Sequence, residues 1–373
     1  MSHNKDPLSV ALIGLGRVAE QHLKAIRFWE SKGELVLAAV VDPKQDIWTK
    51  KLQAAGFQRK IPGFNSIEDM LQQVVPDICA ITSNSGSHFG LAELALQAGC
   101  HLLVEKPFTL DLDEADQLID LAENKKLKIA VGHIYRYMIT IRELQSDLAA
   151  GVFGRILHAA VIVRWGHDQT YYNQADWRGS WSEDGGALMN QTVHALDLMT
   201  YLCQALPVTA TAEIARLRHD IEAEDYGLGI FCLNNGALLS VEGTTAGFPG
   251  NKEASFFLQA ENGTIRASIY QGKLNFKILD KDGRSLGRKY IRRSLANLKK
   301  RYGLRGLSQI KNPHTAIYDD LITAIRKDQE PLASGISGRD AVAMVLSLYQ
   351  AAREKRTVDF PPTDRKITPQ DIS

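Results

Sequence analysis

Residues 8–19 read LSVALIGLGRVA, and this stretch decides the fold of the first part of the chain. A short apolar run ends in two glycines, Gly14 and Gly16, and a helical pattern follows from Val18 to Trp29. The next apolar run, from Leu35 to Val41, has the length of a buried strand. A strand that turns at glycines into a helix and is followed by a second strand indicates a βαβ unit with a parallel sheet.

The turn after the first strand matches the pattern G-x-G-x-x-G/A. In this pattern the first glycine permits a tight turn, the second lets the backbone approach a pyrophosphate, and the small last residue lets the helix pack on the strand. The N-terminus of the helix also attracts phosphate charge. Because the motif follows a strand and opens a helix, it predicts a dinucleotide site with contacts from Gly14, Gly16, Arg17 and Val18.

Asp42 ends the second strand, where a carboxylate can accept hydrogen bonds from the adenosine ribose. Such a carboxylate repels a 2′-phosphate, so the sequence favours NAD over NADP. NADP stays an alternative, since Arg17 and Lys44 are close enough along the chain to meet a 2′-phosphate. The other interpretation of the segment is a plain glycine turn and a solvated aspartate at a strand end.

Three further apolar runs, Ile78 to Thr82, Leu102 to Val104 and Ile129 to Val131, follow in the first third of the chain. Amphipathic helical patterns separate them, which is typical of a parallel sheet covered on both faces. We therefore predict an α/β protein whose residues 1–133 form an N-terminal Rossmann dinucleotide-binding domain.

The pattern changes after the fifth strand. Apolar runs flank Asn234-Asn235-Gly236 and Glu261-Asn262-Gly263, which are turn signals between antiparallel strands. Two helical stretches, His314 to Lys327 and Ser337 to Arg353, close the chain. We predict that residues 134–373 form a C-terminal domain of α+β type, whose closing helices could pack back on the first domain.

The composition is that of an ordinary two-domain protein. The chain has 373 residues and a net charge of +1, which argues against a basic nucleic-acid binder. No two of the four cysteines lie at CxxC spacing and the histidines lack ligand spacing, so we expect reduced thiols and no metal site. The polar first residues and the short apolar runs predict a cytoplasmic protein without a membrane span.

Glu105-Lys106-Pro107 follows the strand from Leu102 to Val104, at the carboxyl edge where ligands bind in open α/β sheets. A lysine at this edge can be partly desolvated, which lowers its pKa and lets it exchange protons with a hydroxyl group. By its chemistry alone, Lys106 is more often a surface residue, so the rest of the sequence must decide between the two interpretations.

Three segments together carry a resemblance to a known family. The glycine turn is followed by AGCHLLVEKPF at 98–108 and by GGALMNQTVHALD at 185–197. With these segments the chain resembles, over its whole length, the Gfo/Idh/MocA oxidoreductases, the family of glucose–fructose oxidoreductase and inositol dehydrogenase. The resemblance implies a C-terminal substrate-binding domain with a large, open, mainly antiparallel sheet. The free face of that sheet is expected to form homodimers or homotetramers.

The resemblance also implies functional residues in the first domain. Lys106 would contact the substrate hydroxyl and the nicotinamide ribose, and Glu105 would touch the cofactor. The nicotinamide side of the cofactor cleft would be lined by Thr82, Ser83, Asn84 and His88.

In the second domain, Asn190 and His194 are four residues apart in a helical pattern and so share one face. Inositol dehydrogenase-like members of the family have Asp and His at these places, both facing the substrate. An asparagine can hydrogen-bond to a sugar hydroxyl but cannot hold an imidazolium by charge. His194 is therefore expected to be a weaker base, and Lys106 to carry more of the proton transfer. The asparagine also resembles the sugar-nucleotide dehydrogenase branch of the family.

Two more residues are predicted to contact the substrate. Tyr135 lies in the family segment that enters the cleft after the fifth strand, and Arg178 stands among aromatic residues. Aromatic faces and an arginine suit a polyhydroxylated ring, although they could equally cover a seam between domains.

The activity that the resemblance implies is hydride transfer between NAD(P) and a hydroxyl carbon of a sugar, cyclitol or sugar derivative. Lys106, His194 and Asn190 are the predicted catalytic residues. Two alternatives stay open, namely a glycosidase that retains NAD and uses transient oxidation, and a non-catalytic NAD-binding regulator. A regulator would not need Lys106, and a glycosidase would not release NADH in proportion to product.

From Arg284 to Lys311 the chain has ten Lys and Arg residues and neither Asp nor Glu. The favoured interpretation is a solvated or oligomer-facing segment. The alternative is a segment that attracts a phosphate-bearing substrate such as a nucleotide sugar. Nucleic-acid binding is less well supported, since Tyr290 and Tyr302 are the stretch's aromatic residues and it carries no recognition module.

Overall fold

The computed structural model describes residues 6–138, 140–306 and 312–369. These residues form two compact units. Of the described residues, the first unit contains 6–109, 113–137 and 312–339, and the second contains 110–112, 138, 140–306 and 340–369. The predicted domain boundary at residue 133 stays a prediction.

Helices and strands alternate along the first unit and separate in the second. The described helices are α1 Ala19–Glu30, α2 Asp46–Ala54, α3 Ile67–Leu71, α4 His88–Gln97, α5 Leu112–Lys125, α6 Ile141–Ala149, α7 Gln169–Tyr172, α8 Val193–Cys203, α9 Gly287–Gly306, α10 His314–Lys327 and α11 Gly335–Glu354. The described strands are β1 Leu8–Ile13, β2 Leu35–Val41, β3 Gly63–Phe64, β4 Ile78–Ile81, β5 His101–Val104, β6 Ile129–Val131, β7 Ile156–Trp165, β8 Pro207–Ala215, β9 Tyr226–Leu233, β10 Leu238–Thr244, β11 Lys252–Ala260, β12 Gly263–Tyr270, β13 Lys273–Asp280 and β14 Val358–Asp359.

The first unit is built on a six-stranded sheet with the order β3-β2-β1-β4-β5-β6, in which every neighbouring pair is parallel. The order reverses between β1 and β4, which is the switch point where Rossmann folds bind dinucleotides. Residues on both faces of the strands, such as Val10 and Ala11, are completely buried. Burial on both faces explains the continuous apolar runs in the sequence, and the predicted Rossmann fold is confirmed.

The second unit is built on an eight-stranded sheet with the order β13-β12-β11-β7-β10-β9-β8-β14. The pair of β7 and β10 is parallel, and the six other pairs are antiparallel. Buried and exposed residues alternate along β9, so one face of the sheet is covered and the other is open. The prediction of a large, open, mainly antiparallel sheet is therefore confirmed.

Some elements carried too weak a pattern to be predicted. β3 has two residues, α2 buries only Leu52, and β8 has threonines and a glutamate between its buried positions. The basic stretch contains α9, whose Arg293 forms ion pairs with Glu143 and Asp147 of α6. Part of that charge is therefore used in helix packing, while Lys311 lies outside the described residues.

The four cysteines are free thiols, of which Cys232 is exposed. None of the described helices combines the length and the apolar composition that a bilayer crossing requires.

Candidate active site

The glycine turn between β1 and α1 depends on the absence of a side chain at Gly14. Its φ of +88° lies in the left-handed region, and a Cβ there would come within 2.8 Å of the backbone nitrogen of Ser83. The backbone nitrogen of Gly14 donates to the carbonyl of Val41 at 2.8 Å. The turn is thereby fixed to the ends of both neighbouring strands, at the switch point of the sheet.

Asp42 is fixed at the same turn. One carboxylate oxygen accepts a hydrogen bond from the backbone nitrogen of Leu15 at 2.7 Å, and the other accepts from the backbone nitrogen of Lys44 at 2.8 Å. The side chains of Arg17 and Lys44 are exposed, and Val18 is half-buried.

These residues fit a dinucleotide. A Cβ built on Gly16 would have its nearest neighbour, the carbonyl oxygen of Thr82, 4.0 Å away, so the backbone leaves open space above the turn. The half-buried carboxylate of Asp42 lies where a ribose hydroxyl is expected.

The loop after β4 borders the glycine turn. The hydroxyl of Thr82 donates to the carbonyl of Gly14 at 2.5 Å. The hydroxyl of Ser87 lies 2.7 Å from the hydroxyl of Ser83, from which it can accept, and donates to the carbonyl of Asn84 at 2.8 Å. The residues predicted for the nicotinamide side therefore form one hydrogen-bonded loop beside the fingerprint, and their contact with a cofactor stays a prediction.

Lys106 follows β5 at the same carboxyl edge of the sheet and is half-buried. Its backbone nitrogen donates to the carboxylate of Glu105 at 3.2 Å. The carbonyl oxygen of Pro107 lies 2.8 Å from Nδ1 of the buried His88. Because a carbonyl oxygen can only accept, this nitrogen must be the donor. The peptide chain is thus held on both sides of the lysine, and the Lys106–Pro107 bond is cis.

The side chain of Glu105 is directed into a buried cluster that the sequence analysis did not predict. Its Oε1 lies 3.0 Å from Nε2 of His22 and 3.3 Å from Nε2 of His314. Nδ1 of His22 lies 3.0 Å from the hydroxyl of Tyr318, and the rings of the two histidines are 4.6 Å apart. All four side chains are less than a tenth exposed. Contact between Glu105 and a cofactor stays a prediction.

Charge within this cluster decides the pKa of Glu105. Burial raises the pKa of this carboxyl, but hydrogen bonds from His22 and His314 outweigh burial and hold the pKa well below its ordinary value. Burial lowers the pKa of His22 despite its bond to Glu105, which favours a neutral ring. Among the described residues no fourth His, Cys, Asp or Glu joins the three, and the nitrogen–oxygen distances are those of hydrogen bonds.

Tyr135 lies in a 3-10 turn, Ile134–Tyr137, directly after β6. It is half-buried, and burial raises the pKa of its hydroxyl. The neighbouring Arg136 is buried and donates to the carbonyl of Leu332 at 2.7 Å, so it serves the packing of the turn. Contact between Tyr135 and a substrate stays a prediction.

In the second unit, Asn190 and His194 belong to different kinds of helix. Asn190 lies in a π-helical turn, Leu188–Thr192, and His194 lies at the start of α8. The sequence predicted one regular helical repeat, which the structure does not form. At the start of this turn, the backbone nitrogen of Leu188 donates to the buried carboxyl of Glu224 at 2.8 Å. Such turns are frequent at functional sites.

The side chain of Asn190 is held from two directions. Its amide nitrogen donates to the carboxylate of Asp184, and its oxygen accepts from Gln191 at 2.9 Å. Asp184 is buried and also accepts from the backbone of Gly179 at 2.9 Å. A carboxylate is therefore present beside Asn190 after all, at a position that the spacing of the motif does not indicate. His194 itself is half-buried.

Arg178 lies in a column of stacked rings. Its guanidinium is 4.3 Å from the ring centre of Tyr171 and 4.4 Å from that of Trp177, and His167 stacks on Tyr171 with ring centres 3.7 Å apart. Such stacking holds a guanidinium in one plane and presents its hydrogen-bond donors in a fixed direction.

A small pocket of about 10 Å³ lies beside this column and is lined in part by Tyr171, Asn190 and Asp184. A second, more open pocket of about 240 Å³ is bordered by Arg178 and by Asp176, Asp220 and Glu222. The second unit thus brings Arg178 and Asn190 into one region. Lys106 and Tyr135 belong to the first unit, and joint action of the two sets stays a prediction.

A parallel sheet with a glycine turn at its switch point and an aspartate at the end of its second strand defines a protein with an NAD-binding Rossmann unit. The model of an oxidoreductase family with an NAD-binding Rossmann fold matches residues 8–133, and the model of the GFO/IDH/MocA C-terminal domain matches residues 141–266. Together they match more than half of the chain, which belongs to the Gfo/Idh/MocA oxidoreductase family. The predicted family and the predicted NAD cofactor are confirmed.

Relatives with named activities are sugar dehydrogenases. UDP-N-acetylglucosamine 3-dehydrogenase of Acidithiobacillus ferrooxidans is 34% identical over 180 residues, which are 48% of this chain and 51% of that protein. D-glucoside 3-dehydrogenase of Escherichia coli is 27% identical over 206 residues, which are 52% of this chain and 54% of that protein. The chain spans about half the length of these curated relatives.

Among solved structures, the WlbA dehydrogenase from Bordetella pertussis, in complex with NADH and UDP-GlcNAcA, is 28% identical. Its TM-score is 0.82, and the match covers 96% of this chain and 99% of that chain. The similarity in fold therefore extends well beyond the half of the chain that the two named sugar dehydrogenases match.

Proposed function

We propose that this protein is an NAD-dependent dehydrogenase that oxidises or reduces a CH–OH group of a sugar derivative. The observation that carries the proposal is the place of Lys106. This half-buried lysine follows β5 at the edge of the sheet that bears the glycine turn, and its peptide chain is held by Glu105 and His88.

The residues of the first unit would hold the cofactor. The backbone at Gly14 and Gly16 leaves room for the pyrophosphate, and Asp42 accepts from the adenosine ribose. When bound, NAD supplies the acceptor for the hydride. The neutral amine of Lys106 accepts the hydroxyl proton while the carbinol carbon becomes a carbonyl carbon, and it returns the proton in the reverse direction.

The residues of the second unit would orient the substrate. Asn190 presents an amide that Asp184 and Gln191 hold in place, and His194 assists Lys106 in proton transfer. Arg178 would offer its stacked guanidinium, and Tyr135 of the first unit its hydroxyl, to ring oxygens. The named activities of the relatives, on a nucleotide sugar and on glucosides, support a sugar derivative as substrate.

Replacing Lys106 tests the proposal. In Lys106→Ala we expect kcat to fall by about a thousandfold, because general acid–base catalysis is lost, while NAD⁺ binding measured by calorimetry changes little. Turnover is followed at 340 nm with NAD⁺ and a panel of inositols, aldoses, uronic acids and UDP-sugars. Lys60→Ala, an exposed lysine of the same unit, is the matched control. Turnover that survives in Lys106→Ala would contradict the role of Lys106.

The stoichiometry of NADH separates the proposed function from the alternatives. A dehydrogenase releases NADH in proportion to product, a glycosidase that retains NAD releases product without NADH, and a regulator does neither.

We propose that the open face of the eight-stranded sheet joins copies of this chain. Leu228, Ile230 and Leu238 are each about half exposed on β9 and β10, and monomeric proteins rarely expose an apolar face of this kind. In Ile230→Glu we expect a smaller mass by light scattering, because a buried glutamate lacks a partner in the interface. A wild-type protein that is monomeric at micromolar concentration would contradict this proposal.

We propose the following for the partners and the cellular location of the protein. The partners are a small molecule and further copies of this chain, rather than a nucleic acid or a membrane. The location is the cytoplasm, which the free cysteines support.

A further inference from the structure

The cluster beneath Lys106 has a protonation pattern that its hydrogen bonds determine. Asn312 directs its amide nitrogen to the carbonyl of Gln21 at 2.9 Å, so its amide oxygen faces His314. This oxygen accepts from the backbone nitrogen of His314 at 3.2 Å and lies 3.1 Å from its Nδ1. An amide oxygen can only accept, so Nδ1 of His314 must carry a hydrogen.

The other nitrogen of His314 faces a second acceptor. Its Nε2 lies 3.3 Å from Oε1 of Glu105. If Nδ1 alone carried the hydrogen, a lone pair of the ring would face a carboxylate oxygen in a buried site, which is strongly unfavourable. The contact therefore needs one more proton, either on His314 or on Glu105.

The remaining contacts place that proton on His314. The hydroxyl of Tyr318 can donate to Nδ1 of His22, which leaves Nε2–H of a neutral His22 to donate to Glu105. Glu105 then accepts from His22, from His314 and from the backbone of Lys106. Three donors favour the ionised form of a carboxyl group.

We propose that His314 is held as an imidazolium that neutralises Glu105, and that this ion pair positions Lys106. The proposal rests on the proposed function only where it concerns catalysis. His314 and Glu105 are positioning residues in this scheme: the pair fixes the carboxylate, and the carboxylate holds the backbone nitrogen of Lys106 at 3.2 Å. Gly132 completes the fit, since a Cβ there would come within 2.8 Å of Glu105 Oε1.

Nitrogen-15 NMR of the wild-type protein labelled at histidine tests the charge. At pH 7.5 we expect His314 to carry protons on both ring nitrogens and His22 to be neutral with its proton on Nε2. His101 is the internal reference, because its Nδ1 accepts from the backbone of Lys128 at 2.9 Å and the ring is therefore protonated on Nε2. A neutral His314 overturns the proposal, and so does a metal ion found at the cluster by mass spectrometry.

Hydrogen exchange tests the positioning without any substrate. In His314→Gln we expect the amide of Lys106 to exchange at least about tenfold faster, since its acceptor is no longer fixed. The matched control His101→Gln, at the other end of β5, leaves this rate unchanged. If His314→Gln does not fold, Gly132→Ala displaces the same carboxylate and is expected to give the same acceleration. An unchanged exchange rate in the folded variant overturns the positioning role.

Kinetics then connects the pair to the reaction. With the substrate found in the 340 nm panel, His314→Gln is expected to lower kcat by about tenfold to a hundredfold while the Kd of NAD⁺ stays within about twofold. Adding Glu105→Gln removes the uncompensated charge and is expected to restore part of kcat. An unchanged kcat in His314→Gln overturns the catalytic consequence, whereas a wild type without turnover is a failure of the proposed function, and NMR and exchange still decide the pair.

Discussion

Glu105 and Glu224 are both buried glutamates, one in each unit, and their pKa values shift in opposite directions. Two histidines face Glu105 and hold its pKa well below the ordinary value. Glu224 accepts from neutral groups, the backbone nitrogen of Leu188 at 2.8 Å and the hydroxyl of Tyr349 at 3.0 Å. Burial raises the pKa of Glu224 to about 8, and these hydrogen bonds offset only part of the effect.

The charge of the partner decides the ionisation state of these two buried carboxyl groups. Both side chains accept hydrogen bonds, and at Glu224 the neutral donors do not outweigh the effect of burial. Glu105 has a positively charged partner and stays a carboxylate beside the proposed catalytic lysine. The described residues that donate to Glu224 are uncharged, and Glu224 is largely a neutral acid at neutral pH.

Removing the carboxylate of Glu105 should have the largest effect on stability. In Glu105→Ala the imidazolium of His314 loses its anion in a buried site, and we expect a loss of about 3 kcal/mol in the free energy of unfolding. Urea unfolding at pH 7.5 measures it. The control Glu123→Ala, an exposed residue of α5, should change stability by less than about 0.5 kcal/mol. An equally small change in Glu105→Ala would contradict a buried ion pair between Glu105 and His314.

Glu224 should make the protein less stable as the pH rises. Between the ordinary pKa of 4.5 and the folded value of about 8, the folded state binds one proton more than the unfolded state, so stability falls with rising pH. We expect Glu224→Gln, which has no proton to lose, to gain about 2 kcal/mol relative to wild type between pH 6 and pH 8. Glu213→Gln, at an exposed ion pair, is the control.

The contribution of Glu105 to the free energy of unfolding should depend on pH in the opposite direction. A lowered pKa contributes stability that is present above the ordinary pKa of 4.5 and lost as the pH falls through the folded value. Urea unfolding of wild type and both glutamine variants from pH 3 to pH 9 separates the two groups, because the effect of Glu105 lies below pH 4.5 and that of Glu224 above it. A parallel pH dependence of Glu105→Gln and Glu224→Gln would show that the two carboxyl groups do not differ as the comparison claims.

Local patterns predicted the fold and located the short motifs of the candidate site. β1 and β2 were predicted with their observed bounds, because strands buried on both faces are continuous apolar runs. The turn at Gly14 and the place of Lys106 follow from motifs of a few residues. Each of these signals lies within one short segment, so a single sequence is enough to find it.

The groups that surround these motifs could not be predicted. Glu105 is separated from His22 by 83 residues and from His314 by 209, and no pattern in either segment marks the contact. The carboxylate beside Asn190 was missed for a different reason, since Asp184 is only six residues away but precedes the helical pattern that was used to place Asn190. Tertiary contacts of this kind depend on how distant segments pack, which composition and periodicity do not encode.

Tyr349 offers the smallest and most selective change. Its hydroxyl donates to Glu224 and accepts from the backbone nitrogen of Gly186 at 3.3 Å, while its ring packs against Trp181 with centroids 5.4 Å apart. In Tyr349→Phe the ring stays and the hydroxyl is lost, so we expect a loss of about 1 kcal/mol in the free energy of unfolding.

The pH dependence of Tyr349→Phe tests whether a neutral donor lowers the pKa of Glu224. The hydrogen bond from Tyr349 lowers the pKa of Glu224, so its removal should raise that pKa further. The pH range over which the free energy of unfolding decreases should then extend to higher pH. Thermal unfolding from pH 6 to pH 10 measures the shift, with Tyr270→Phe at a half-exposed tyrosine as the control. If this pH range ended at lower pH instead, the neutral hydroxyl of Tyr349 would not be lowering the pKa of Glu224. The contrast with Glu105 would then need a charged partner for Glu224 as well.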